Sequence, residues 1–146
     1  MLTADTVKSH FESNDIKFMQ TPDGDRFGIG WTIGRHHVQT EVLLHDGGSF
    51  VVFRTTGLVR VPHGHPAHSA LLERLNEFSF KYRVLKAMID PDDGEVTLSF
   101  EQWCTDGPVD AEGFGRRYGG FLRFAETVLD AVEDCLGRND LKRHAC

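Results

Sequence analysis

Histidines are the first residues in this chain of 146 that suggest chemistry: eight occur, and they include His36, His37 and His45 in one stretch and His63, His65 and His68 in another. The run His63-Gly64-His65-Pro66-Ala67-His68 brings three imidazoles close to a helix start. A neutral imidazole nitrogen is a good ligand for Zn²⁺ or Cu²⁺. The spacing nevertheless fits no helical metal template such as His-Glu-x-x-His, and Gly64 and Pro66 favour an exposed loop over a rigid site. The preferred reading is surface histidines and no metal. The alternative is a metal-binding protein or metal-dependent enzyme built on His63, His65 and His68, joined by His36 or His37.

Other chemistries fall away on spacing. Asp90-Pro91-Asp92-Asp93-Gly94 resembles a calcium loop, but Gly94 stands fifth and Glu95 sixth, where the sharp turn needs glycine. A hairpin turn is the better reading. Gly28-Ile29-Gly30 lies inside a strand pattern and has no third glycine to complete a dinucleotide fingerprint. Gly47-Gly48-Ser49 has no following lysine and is no phosphate loop. The aromatics around Gly115-Arg116-Arg117-Tyr118-Gly119-Gly120-Phe121 follow helical spacing, so they read as core and not as an RNA platform. No Gly-x-Ser-x-Gly elbow exists for a serine nucleophile. Cys104 pairs with a distant histidine only by arbitrary choice. The expectation is no catalytic residue, no cofactor and no enzyme.

Composition narrows the class. With 16 Lys+Arg against 22 Asp+Glu, the formal net charge is 16 − 22 = −6. That sign opposes an electrostatic grip on nucleic acid, which needs clustered positive charge. Hydrophobic residues at 40% and charged residues at 26% suit a globular domain of one core. The start, Met1-Leu2-Thr3-Ala4-Asp5, lacks the basic and apolar regions of a secretory signal. Apolar stretches such as Val51-Val52-Phe53 are broken long before bilayer-spanning length. Cys104, Cys135 and Cys146 are odd in number and widely spaced, so reduced thiols in the cytoplasm are expected, with no membrane partner.

The elements that must position any site follow from periodicity. Thr3–Ser13 reads as a helix with capping oxygens on Thr3 and Asp5, and Leu2, Val7, His10 and Phe11 on one side. Asn14 suits a left-handed exit. Ile16–Gln20 is a short strand candidate, ended by the turn Thr21-Pro22-Asp23-Gly24. Phe27, Ile29, Trp31 and Ile33 alternate with Gly28, Gly30, Thr32 and Gly34, the period of a half-buried strand. Val38, Thr40, Val42 and Leu44 oppose His37, Gln39, Glu41 and His45 in the next strand. Asp46-Gly47-Gly48 closes a hairpin to a strand over Phe50–Thr56, and Gly57–Gly64 is a loop. Pro66 suits the first turn of a helix reaching about Ser79, with Leu71, Leu72, Leu75 and Phe78 at helical spacing. Tyr82–Asp90 and Glu95–Cys104 form a second hairpin. Asp110 opens a long helix whose stripe includes Phe114, Tyr118, Phe121, Leu122, Ala125, Val128, Leu129, Val132 and Leu136, ended by Gly137.

The predicted class is α+β: an antiparallel sheet of about five to six strands with helices on one face, in the order α-β-β-β(-β)-α-β-β-α. Residues 1–137 form a single domain, and 138–146, which carry no periodicity, are expected to fray. Two surface features stand out. Gly28, Gly30 and Gly34 on one face leave a place for a close-packed helix or a partner's backbone. Apolar groups intrude among the polar ones, Leu43 beside Glu41 and Trp103 beside Glu101, as on an association surface.

Leu71-Leu72-Glu73-Arg74-Leu75-Asn76-Glu77-Phe78, the hairpin through Gly94, and Gly119-Gly120-Phe121-Leu122 on a long terminal helix resemble the YbjN-like family of bacterial proteins. The element order also resembles the type III secretion chaperone fold. The resemblance implies a non-enzymatic protein-binding module, chaperone-like or regulatory, acting in the cytoplasm as a homodimer on another polypeptide. No catalytic residues come with it. For Asn76, placed near a helix end, the expectation is a structural role, satisfying the last carbonyls or stabilising the turn into the next strand, in preference to ligand contact.

Overall fold

The computed structural model describes residues Met1–Gly137; the expectation for 138–146 lies outside them. Three helices, α1 (Ala4–Ser13), α2 (His68–Lys81) and α3 (Ala111–Leu136), accompany six strands. The strands are β1 (Met19–Gln20), β2 (Arg26–Ile33), β3 (His36–His45), β4 (Phe50–Thr56), β5 (Leu85–Ile89) and β6 (Val96–Trp103). They form one antiparallel sheet in the order β1-β2-β3-β4-β6-β5.

The alternation read from the sequence sets the register. Phe27, Val42, Phe53, Phe100 and Leu85 lie side by side across five strands on the inner face. The apolar stripe of α3 covers them: Phe114, Tyr118, Phe121, Ala125, Val128, Leu129, Val132 and Leu136 are all buried, and so is Phe124. Phe53 stacks on Phe100 at 4.8 Å and meets Tyr118 edge-on at 5.1 Å, the offset and T-shaped geometries that aromatic quadrupoles favour.

One polar chain threads this core. Trp31 Nε1 donates to the Tyr118 hydroxyl at 2.9 Å, the Tyr118 and Thr40 hydroxyls bond to each other, and Thr40 donates to the Ile29 carbonyl at 3.2 Å. Every member is satisfied, as a buried network must be. Burial pushes the Tyr118 hydroxyl up from 10.0 to about 12, while its bonds to Thr40 and Trp31 pull the other way.

Caps form where their residue types allow. Thr3 accepts from the Thr6 amide and Asp110 from the Gly113 amide. Asn14 is not the left-handed residue. It donates through Nδ2 to the His10 carbonyl at 2.8 Å, and Asp15 takes the positive φ of 53°. Of the candidate strand Ile16–Gln20 only Met19 and Gln20 pair. α2 begins at His68 and not at Pro66, and Ala67 offers no capping side chain. The helix runs to Lys81, so Asn76 sits exposed within it, well short of the carbonyls it was expected to satisfy.

The sheet's two edges differ in finish. At the β5 edge, Ser79 of α2 places its hydroxyl over Ala87, accepting from the Ala87 amide at 2.9 Å and donating to the Ala87 carbonyl at 3.1 Å. The opposite edge is the two-residue strand β1, which pairs only with Phe27 and Gly28 of the longer β2.

Candidate functional site

All three helices lie against the inner face, so among the described residues no helix covers the outer face of the sheet. Strand parity decides which these are. One row reads Gly28, Glu41, Arg54, Ser99 and Lys86, and the next reads Arg26, Leu43, Val52 and Glu101. Glu41 lies 2.7 Å from Arg54 Nη2 and 3.9 Å from Arg26 Nη1, and Lys86 reaches Glu101 at 2.6 Å. Opposite charges on neighbouring strands hold one another in place.

At one end of this face the character changes. His45, Phe50 and Trp103 stand in register on β3, β4 and β6. Phe50 packs on Trp103 with centroids 4.9 Å apart and on His45 at 6.0 Å. Trp103 keeps 61% of its surface exposed; Met88 of β5, also exposed, pairs with Thr97 toward the other end of the face. At the other end Gly28 and Gly30 add no side chain. Gly34, expected beside them, lies instead in the β2–β3 turn with φ 57°. The turn needs a left-handed residue there, and glycine takes that conformation without steric cost. Leu43 is on this face as expected, but its neighbours bury it, whereas Trp103 is exposed.

The histidine loop is built differently from a metal centre. His68 is 8% exposed, and its Nδ1 bonds to the Val61 carbonyl at 2.7 Å. His65 Nδ1 accepts from the Ala67 amide at 3.0 Å, doing at the start of α2 part of what a capping residue would do. His63 lies tilted on the His68 ring with centroids 4.5 Å apart. The ligand atoms of the three do not form one group within 4.8 Å; among the described residues, His36, Asp130 and Glu133 do so. Sequence spacing missed that set because it joins β3 to α3. The only local sign was the i,i+3 pair of acidic residues on the polar side of α3. Cys104 and Cys135 are free thiols, and Cys104 is buried. A shallow groove between α1 and α3 is lined by His10, Asn14, Glu112, Gly115 and Arg116. No helix among the described residues is long and apolar enough to cross a membrane.

No protein-family model matches the chain, and no curated protein matches it significantly. Solved structures do. YbjN from E. coli, described as a candidate transcription regulator, is 16% identical and superposes with a TM-score of 0.62 over 85% of this chain and 86% of its own. A chain of the HopA1–SchA chaperone–effector complex is 10% identical, with a TM-score of 0.53 over 82% of this chain and 87% of its own. At these identities the likeness is one of fold. The six-stranded antiparallel sheet backed by three helices is a YbjN-like, chaperone-like α+β fold.

Proposed function

We propose that this protein is a non-enzymatic module that binds another polypeptide, in a chaperone-like or regulatory role, and that it works in the cytoplasm as a homodimer. The observation that carries the reading is the outer sheet face, covered by no helix among the described residues and ending in the exposed Trp103. Tryptophan and arginine are the residues most enriched where binding energy concentrates, and Arg26 and Arg54 share this face with Trp103. One structural neighbour comes from a chaperone–effector complex and another is described as a candidate regulator, and both roles run through contact with another macromolecule. With a net charge of −6, a regulatory role runs through protein and not through direct contact with nucleic acid. For self-association, Leu72 and Phe80 stand two turns apart on α2 and are both exposed, Phe80 at 90%.

A photoreactive phenylalanine introduced at position 103 should form adducts with cellular polypeptides, while the same group at the exposed Glu112 of α3 should not. Equal yields from the two positions would remove the sheet face as the binding surface. Light scattering at micromolar concentration should give twice the chain mass; the chain mass alone would remove the homodimer.

A further inference from the structure

The β2–β3 turn rests on the far half of α3. Glu126, Asp130 and Glu133 follow one another there at i, i+4 and i+7 and so share one helix face. The glycine at position 34 lets the turn approach closely, for a Cβ there would stand 2.7 Å from Glu126 Oε1. The two residues after it meet the acidic stripe. His36 Nε2 lies 2.7 Å from Asp130 Oδ1. Arg35 places Nε 2.7 Å from Glu133 Oε2 and Nη2 3.6 Å from Asp130 Oδ1.

Two properties set this cluster apart from a surface ion pair. The His36 and Glu133 side chains are only 13% and 12% exposed, so the fold holds them in position, while Arg35 and Asp130 are half-exposed and can move. The cluster is also rich in carboxylates: Glu126 and Glu133 flank Asp130 on the same helix face. One ligand atom from each of His36, Asp130 and Glu133 already lies within 4.8 Å of the others. A tetrahedral ion with bonds near 2.1 Å needs donors about 3.4 Å apart, so modest side-chain rotation closes the set. One imidazole and two carboxylates suit zinc-type ions, whereas calcium and magnesium prefer oxygen alone.

We propose that His36, Asp130 and Glu133 form a site for a zinc-type divalent ion, with the Arg35 guanidinium lying across the two carboxylates when the ion is not bound. Arginine is then a competitor of the ion, and its removal should strengthen binding. The site joins the β2–β3 turn to α3 and is independent of the outer sheet face.

The test is calorimetric titration of Zn²⁺ into the untagged full chain, paired with the visible absorption of added Co²⁺. One ion per chain is expected, with the intense d–d bands of a low-symmetry cobalt site. His36→Ala and Asp130→Asn should each weaken binding about tenfold or more, on the scale of losing a ligand or its support. Arg35→Gln should tighten it severalfold, while the double variant His63→Ala/His65→Ala should leave it unchanged. Circular dichroism melts of the same proteins, and Glu133→Gln as a second ligand variant, separate lost binding from lost folding. Wild-type binding no tighter than that of Asp130→Asn, loss of binding in the His63/His65 variant, or no gain in Arg35→Gln would each overturn the assignment.

Discussion

Adjacent rows of the same sheet, one residue out of step, show how differently its two faces are built. Phe27, Val42, Phe53, Phe100 and Leu85 run across the inner face, and Gly28, Glu41, Arg54, Ser99 and Lys86 run across the outer one. The inner row is closed by α3, and the polar chain Trp31–Tyr118–Thr40 within it is satisfied to the last hydroxyl. The outer row balances its charges in pairs and, among the described residues, has no covering helix. Stability is concentrated on one side of the backbone and surface chemistry on the other, so substitutions on the two sides should fail in different assays.

The largest effect belongs to the inner side. Phe121→Ala should cost about 3–5 kcal/mol in chemical denaturation, because a fully buried ring leaves a cavity that the packed core cannot collapse into. An unchanged midpoint would mean that α3 does not close this face.

Tyr118→Phe comes next, at about 1–3 kcal/mol, since it leaves the partly buried Trp31 indole N–H without its acceptor. It also changes the alkaline limb. The Tyr118 hydroxyl is held above its ordinary value, so its contribution is full below pH 10 and is lost as the pH rises toward about 12. Two pH units correspond to about 2–3 kcal/mol. The wild-type chain should therefore lose stability over that window more steeply than Tyr118→Phe does, as urea titrations at stepped pH would record.

Asp110→Ala should remove about 1 kcal/mol by freeing the Gly113 amide at the start of α3. Trp103→Ser is the smallest of the four for stability, within about 0.5 kcal/mol, because its ring is largely exposed. It should nonetheless abolish polypeptide capture. A large stability loss with capture intact would invert the contrast between the two faces.

The sequence made the strands legible wherever alternation had a buried side to report. β3 and β4 fell where Val38–Leu44 and Phe50–Thr56 predicted, and the Asp90–Glu95 turn joined the hairpin it implied. Local signals gave less at the ends of elements. Tyr82, Arg83 and Val84 read as strand but serve as the exit from α2, which runs past Ser79 to Lys81 and so holds Asn76 in its interior. Gly34 alternates like its neighbours, yet the hairpin required it as the turn. Among site residues, Trp103 could be found from its apolar intrusion beside Glu101. His36 and Asp130, 94 positions apart, could not, because no periodicity spans that distance. The His63–His68 run attracted notice by composition, but its backbone bonds to Val61 and Ala67 turn two of its imidazoles to local structural use.

Ser79 has a consequence beyond α2. A lateral β-strand is an open invitation to any extended chain that drifts by, whether a stranger or a sibling copy. By engaging both backbone groups of Ala87, one hydroxyl withdraws that invitation at the margin where β5 would otherwise template further strands. At that margin the sheet is closed to the strand-by-strand growth from which fibres are made.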